Sequence, residues 1–443
     1  MDQCATAPMR FAPPIDRPLQ ASFDAGGLTS DGGLVWLREA EDDVGVCAAL
    51  AAEVPEWRRG TPRHALRTLV TQRVFQIACG YEDQNDATTL RRDPLLKLVC
   101  GRLPGSGHDL ASQPTISRLE NAVNARACYR LAWALGQVYL RARERDGAPT
   151  RIVLDLDGTD DPTHGHQEGS AYHGYYDQYQ YLPLLLFDGE TDQLITAVRR
   201  RGDVHASHGV VAILKRVVRG LRARWPGVQI ALRADSGCAV PAVYAFCEQA
   251  EVEYTIGLIP NARLQALAAP LLAEAQAEAA TTGDPARRIG EAPYQAGSWR
   301  RARRVVIKAE QLVKGPNTRF VVTTRTDEAA AVYAWYTARS ESENWIKDLK
   351  NACFADRLSD HRFEANQFRL LLHGAAYWLL DTVRRWLAQL TVPRMQLDTL
   401  RLRLIKIGGW VRERAEAVRL HLASSHPGQP LWHLLATRPG RRE

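Results

Sequence analysis

No run of apolar residues approaches the roughly 18 that a membrane-crossing helix needs. The opening residues, Met1-Asp-Gln-Cys-Ala-Thr, also lack the basic-then-apolar pattern of an export signal. Together these absences predict a cytoplasmic protein. Eight cysteines (Cys4, Cys47, Cys79, Cys100, Cys128, Cys238, Cys247, Cys353) contain no Cys-x-x-Cys pair and no zinc spacing, so they read as reduced, mostly buried thiols. A phosphate-cradling Gly-x4-Gly-Lys loop is missing, which argues against a nucleotide-driven motor. A His-Glu-x2-His helix is missing too, which argues against a zinc hydrolase. Nor is there an internal repeat or a low-complexity tract.

What is present is a globular composition, 45% hydrophobic and 24% charged over 443 residues, enough for two or three domains with their own cores. The net charge of +7 favours a polyanionic partner, weakly at this size. Its distribution is more informative. Residues 1–150 are about neutral, whereas residues 391–443 hold ten Arg and Lys against four acids.

Helix-spaced apolar residues run through Arg63–Cys79, Ala87–Cys100 and Ser112–Arg145, so residues 1–150 are expected to be mainly helical. Ser112-Gln-Pro-Thr-Ile-Ser-Arg118 starts like a capped helix with Pro114 in its first turn. From Arg151 the pattern turns to strands: Ile152–Asp157, then Tyr181–Phe187 and Leu194–Arg199 joined by the turn-former Asp188-Gly189. A helix near Gly209–Trp225, a strand at Val228–Ala234, a helix at Val240–Gln249 and a strand at Tyr254–Ile259 follow. Three consecutive strands and then alternating helices and strands is the element order of the RNase H-like nucleases. Residues 261–325 interrupt it with an Ala/Glu-rich helix (Leu264–Ala280) and strand-like Trp299–Lys308 and Thr318–Thr324. After this insertion come residues 326–391, with an amphipathic helix near Glu364–Leu390. A basic region, 392–443, carries alternating Leu400, Leu402, Leu404, Ile405 and Ile407.

Two carboxylates fall at strand ends in this scheme. Asp157 closes the first strand, in Asp155-Leu-Asp157-Gly158-Thr159, and Asp235 closes the fourth, in Arg-Ala-Asp235-Ser-Gly237. Strands that are adjacent and parallel would bring these ends about 4.8 Å apart, at an edge where active sites collect. Asp155 lies two positions before Asp157 and on the same side of the strand, so it stays open as the alternative first acid. The third candidate is Glu343, in Tyr336-x2-Arg339-x3-Glu343-x6-Lys350. On an ideal helix those four side chains fall within an arc of about 60°. Three carboxylates offer only oxygen, which suits Mg²⁺ or Mn²⁺, and Arg339 and Lys350 would hold flanking phosphates.

These blocks resemble the three catalytic blocks of the DDE transposases of bacterial insertion sequences. The likeness lies in Asp157-Gly-Thr, Arg-Ala-Asp235-Ser-Gly and the Tyr-x2-Arg-x3-Glu-x6-Lys spacing, together with a beta-rich insertion before the glutamate. A four-position match of this kind arises by chance in roughly one chain in several hundred. The resemblance spans about residues 20–425. It implies an α/β protein with an RNase H-like catalytic domain (151–260 and 326–391) split by a beta-rich insertion. A helical DNA-end-binding domain (1–150) would precede it and a basic C-terminal region would follow. It further implies Mg²⁺- or Mn²⁺-dependent cut-and-paste transposition on the inverted repeats of double-stranded DNA, with Asp157, Asp235 and Glu343 as catalytic metal ligands. A homodimer assembled on DNA is expected.

For DNA contact the candidates are Tyr336, Arg339, Lys350, Arg118 on the capped helix, and Trp299, Arg300 and Arg301 in the insertion, where a basic strand with an aromatic suits backbone and flipped-base contact. Two other readings stay open. A domesticated transposase would only bind DNA, and an unrelated hydrolase would use His164, His166, Glu168 and His173 beside Asp160 and Asp161 to hold a metal.

Overall fold

The computed structural model of the chain describes residues 8–12 and 16–441. Cys4 lies outside them, and the other seven cysteines are free and buried. A two-residue strand, β1 (Leu28–Thr29), leads into four main helices: α1 (Leu34–Val44), α2 (Leu66–Ala78), α3 (Gln113–Glu120) and α4 (Ala125–Arg145). The stretch Ser112–Arg145 is therefore two helices. Asn124 starts the second by accepting the Ala127 N–H at 2.9 Å, which satisfies one of the free donors at a helix start.

The catalytic order then appears. β2 (Arg151–Gly158) is followed by three short strands, β3 (Asp161–Pro162), β4 (Ala171–His173) and β5 (Gln178–Tyr181), which form a small sheet of their own. Next come β6 (Leu184–Asp188), β7 (Leu194–Val198), α5 (Val210–Arg224), β8 (Gln229–Ala234), α6 (Pro241–Gln249) and β9 (Glu253–Leu258). The expected single strand Tyr181–Phe187 is broken in two at Leu182-Pro183, because proline has no N–H to give to a ladder. In the main sheet the order runs β7-β6-β2-β8-β9, with β2, β8 and β9 parallel and β6 antiparallel to both its neighbours, β2 and β7. This is an RNase H-like sheet.

The segment expected as an insertion forms α7 (Ala262–Thr282), β10 (Ala286–Tyr294), β11 (Arg303–Leu312) and β12 (Gly315–Thr323). It does not make a separate sheet. β12 pairs antiparallel with β9, from Thr255 opposite Thr323 to Leu258 opposite Phe320, so the three strands extend the central sheet to eight. β10 is poor in β-branched residues (Ala-Arg-Arg-Ile-Gly-Glu-Ala-Pro-Tyr), and pairing with β11 rather than propensity holds it in place.

After the sheet come α8 (Ala329–Thr337), α9 (Glu341–Cys353) and α10 (Phe363–Gln389). Helix α10 is buried along most of its 27 residues and packs on α1, α2 and α4 as well as β7. Glu120 of α3 sits fully buried between Arg73 of α2 at 2.7 Å and Arg369 of α10 at 3.7 Å. Beyond α10, Leu397–Ile405 is helical rather than strand-like, burying Leu400, Leu404 and Ile405 while Leu402 is exposed. β13 (Gly409–Glu413) and β14 (Val418–Leu422) form a hairpin, and β13 pairs with β1 through Gly409 and Thr29. Residues 28–29 and 409–422 are thus joined in one sheet. Among the described residues no helix is long and apolar enough to cross a membrane.

Candidate active site

β2 and β8 run parallel with Ala234 level with Leu156. The pairing ends there, and Asp157 and Asp235 are the next residues along, at the C-terminal edge of the sheet. Neighbouring parallel strands end side by side, and the charge of Asp235 acts on the Asp157 carboxyl. Asp157 Oδ2 accepts from Arg339 Nη1 at 2.7 Å and from Ser342 Oγ at 3.4 Å. Asp235 Oδ1 accepts the Gly237 N–H at 3.0 Å, capping a short turn at Ser236–Cys238.

Asp155 is placed differently. It lies level with Arg233 on the same face, farther from the edge. Arg233 Nε and Nη2 donate to its two oxygens at 2.6 Å each, and Nη1 donates to the Trp335 carbonyl at 2.9 Å. Both side chains of this pair are buried. Gly189 of the β6–β7 turn closes over it, and a Cβ there would stand 2.4 Å from Asp155 Oδ2. Asp155 is therefore committed to holding the sheet and α8 together.

The signature segment is not one ideal helix. Tyr336 ends α8, Arg339 sits in a 3₁₀ turn at Ala338–Ser340, and Glu343 and Lys350 lie on α9. A 3₁₀ turn rotates about 20° more per residue than an α-helix, so the face expected to carry all four is twisted at Arg339. Each residue then meets a different partner. Arg339 reaches Asp157, and Lys350 Nζ donates to Asp160 Oδ1 at 2.7 Å. The Tyr336 hydroxyl lies against Gly257 of β9, where a Cβ would come within 2.7 Å of it. Glu343 is exposed on the first turn of α9.

The electrostatics tie these groups into one site. Burial pushes the Asp157 carboxyl up to about 6; Arg339 pulls it down, while the charges of Asp235 and Glu343 push it further up. Burial also works against ionisation of Asp160, yet the Lys350 ammonium holds its carboxyl below the usual range. Burial raises the Tyr336 phenol despite the neighbouring Arg339.

Among the described residues no three His, Cys, Asp or Glu side chains are gathered as a metal cage. The histidine-rich loop is no exception, so the reading of it as a transition-metal centre gains no support. Instead, the His166 carbonyl bonds the His361 ring, Glu168 accepts the Phe363 N–H at 3.1 Å, and the His173 ring packs on Tyr176. That loop serves to fasten the link between α9 and α10. Asp157, Asp235 and Glu343 are not gathered into such a cage either, but they offer only oxygen, and the charges of Asp235 and Glu343 both act on the Asp157 carboxyl. That donor set fits a hard divalent cation, which would offset those charges.

The outlying DNA-contact candidates divide. Arg118 is exposed and shares a depression with Arg58, Arg63 and Arg91. Arg300 is exposed, and Arg301 is exposed but paired with Glu248 at 3.0 Å. Trp299 does not meet the expectation. Only 6% exposed, it precedes β11 and packs edge-on against Tyr244 and Tyr294 under Arg303. Sequence reasoning also missed Ser342, Arg233 and the part played by Asp160. Only Asp160 carried a signal, its place in Asp157-Gly-Thr-Asp160-Asp161.

No curated protein matches the chain. Among solved structures, a piggyBac transposase synaptic complex with hairpin DNA is similar at 10% identity and a TM-score of 0.42, over 85% of this chain and 79% of that one. A Mos1 transposase paired-end complex is similar at 12% identity and a TM-score of 0.18, over 45% and 61%. The family comparison is the decisive one. Residues 11–440 match the transposase DDE domain, group 1, and the chain belongs to that family of transposases.

Proposed function

We propose that this protein cuts and joins DNA strands at the inverted-repeat ends of an insertion sequence, moving it by cut-and-paste transposition. The observation that supports the reading is that Asp157 and Asp235 follow the ends of adjacent parallel strands, with the helix of Glu343 reaching Asp157 through Ser342. Asp157, Asp235 and Glu343 are the residues to hold Mg²⁺ or Mn²⁺. When bound, two such ions lower the barrier to phosphodiester displacement by activating the attacking hydroxyl and stabilising the leaving oxygen.

The chain's own residues do the rest. A guanidinium has five donors, enough for Arg339 to hold Asp157 and a DNA phosphate together. Lys350, anchored on Asp160, supplies a second cation beside the same edge for the adjoining phosphate. Arg118 and the arginines around it are placed to read or grip the duplex from the helical side, and Arg300 adds charge from the β-extension. Two copies of the chain, one per DNA end, would form the active assembly. A protein that only binds DNA would have no need of three acids at one edge.

The test is incubation of the purified protein with DNA carrying the element's own ends and Mg²⁺, followed by mapping of the cut strands. Asp157→Ala, Asp235→Ala and Glu343→Ala should each abolish cutting while end binding survives. Any of the three that still cuts at more than a few per cent of the wild-type rate is not a ligand.

A further inference from the structure

Four of the five exposed tyrosines of the described chain lie within eight residues, on the hairpin β4–β5 between the first two sheet strands. Tyr175 is 85% exposed, Tyr179 64%, Tyr172 52% and Tyr176 36%. The rings form two edge-to-face pairs, Tyr172 with Tyr179 at 5.8 Å and Tyr175 with Tyr176 at 5.0 Å. Edge-to-face pairing leaves ring faces open to a third planar group.

This hairpin is not a loose flap. Asp177 at its turn, in the left-handed region at φ 54°, accepts from the Tyr172 hydroxyl. β5 pairs with both β3 and β4. Gln178 Nε2 donates to Asp160 Oδ2 at 3.3 Å, the carboxylate whose other oxygen takes Lys350. One hydrogen-bonded chain therefore runs from the tyrosine hairpin through Asp160 to the Glu343 helix. Burial and then the charges of Asp160, Asp157 and Asp235 push the Tyr176 phenol up, as expected for a hydroxyl at the rim of the acid cluster.

A cluster of exposed aromatics is costly to keep in water unless it meets a partner. The aromatic expected to serve DNA, Trp299, is locked in the core. We propose that the tyrosines of the β4–β5 hairpin form a stacking platform for unpaired nucleobases of the DNA held at the Asp157–Asp235 edge. Stacking on tyrosine is blind to sequence, since every base has a flat face. This inference rests on the DNA-cutting function proposed above, and adds to it a preference for DNA whose strands are open next to the cut.

Two full-length variants, Tyr175→Ala and Tyr179→Ala, test it against Tyr175→Phe and Tyr179→Phe, which keep the ring. The probes are a blunt duplex and the same duplex with a single-stranded thymidine tail containing 2-aminopurine. Wild type should bind the tailed duplex more tightly and quench the fluorescent base. Each alanine variant should lose about tenfold in affinity for the tailed duplex, lose the quench, and bind the blunt duplex as before, while the phenylalanine variants keep both. Alanine variants that retain the tail preference and the quench overturn the inference, and do so even if wild type cuts DNA with Mg²⁺. Tyrosine-dependent binding by a protein that never cuts would instead uphold the platform and sink the cutting function.

Discussion

Asp155 and Arg233 form a buried, two-pronged ion pair on the sheet face below Asp157 and Asp235, with both bonds at 2.6 Å. Removing one member of such a pair strands a buried charge, at a cost of about 3–5 kcal/mol. Asp155→Ala should therefore lower the melting temperature by on the order of 10 °C, and any loss of cutting should follow the loss of folded protein. Asp157→Ala should melt within a few degrees of wild type and cut nothing. The reverse pattern would make Asp155 the first acid.

The raised Asp157 carboxyl sets a pH window. Its value in the folded chain, about 6, lies above the ordinary 3.8. The stability it contributes is therefore full below about 3.8 and is lost as pH rises through 6. Above that the carboxylate is ionised, and on the proposed function a bound divalent cation would offset the charges of Asp235 and Glu343 beside it. Thermal shift with added Mg²⁺ should be clear at about pH 8 and absent at about pH 5. Asp157→Asn should flatten the difference, and an equal shift at both pH values would count against metal binding at this carboxylate.

Lys350 and Glu343 share α9 but should fail differently. Lys350→Ala removes the cation anchored on Asp160, so cutting and the binding of cleaved ends should both weaken and added Mg²⁺ should restore neither. Glu343→Asp draws the carboxylate back by one methylene, a defect that Mn²⁺ should partly relieve because it tolerates looser geometry. Cleavage rate against metal concentration for both variants decides the matter. Metal rescue of Lys350→Ala, with Glu343→Asp indifferent, would mean that the roles are exchanged.

Arg118 and Arg300 offer a contrast in kind. Arg118→Ala should reduce the preference for inverted-repeat over random DNA by about tenfold. Arg300→Ala should weaken both alike and reduce the salt dependence of binding by about one unit of slope. Titrations with the two DNAs at several salt concentrations separate them. They should be run on the whole chain, since a fragment ending at Thr150 would lose α10 and expose the buried Arg73 and Glu120.

The sheet and its acid edge were legible because their signals are local. Asp157-Gly and Asp235-Ser-Gly mark strand ends, and alternation marks the strands themselves. The twist at Ala338–Ser340 was not legible, since nothing in Thr-Ala-Arg-Ser distinguishes a 3₁₀ turn from a helix; the Arg339 reach to Asp157, 182 positions away, is a tertiary fact. Trp299 misled for the same reason. An aromatic beside arginines reads alike at a wet edge or over a core, and only its packing on Tyr244 and Tyr294 decides. The tyrosine hairpin was written in the sequence, in Tyr172-His-Gly-Tyr-Tyr-Asp-Gln-Tyr179, but strand patterning gives no weight to where a hairpin hangs.

The pairing of Gly409 with Thr29, and the insertion of α10 against α1 and α2, also govern when this protein comes into being. A ribosome releases the N-terminal helices long before their packing partners are made, at roughly 5–20 residues per second. Those helices must wait some tens of seconds, with apolar faces open, for residues 363–389 and 409–413 to arrive. A polypeptide cut short before Phe363 would thus leave its N-terminal helices without the element they pack on.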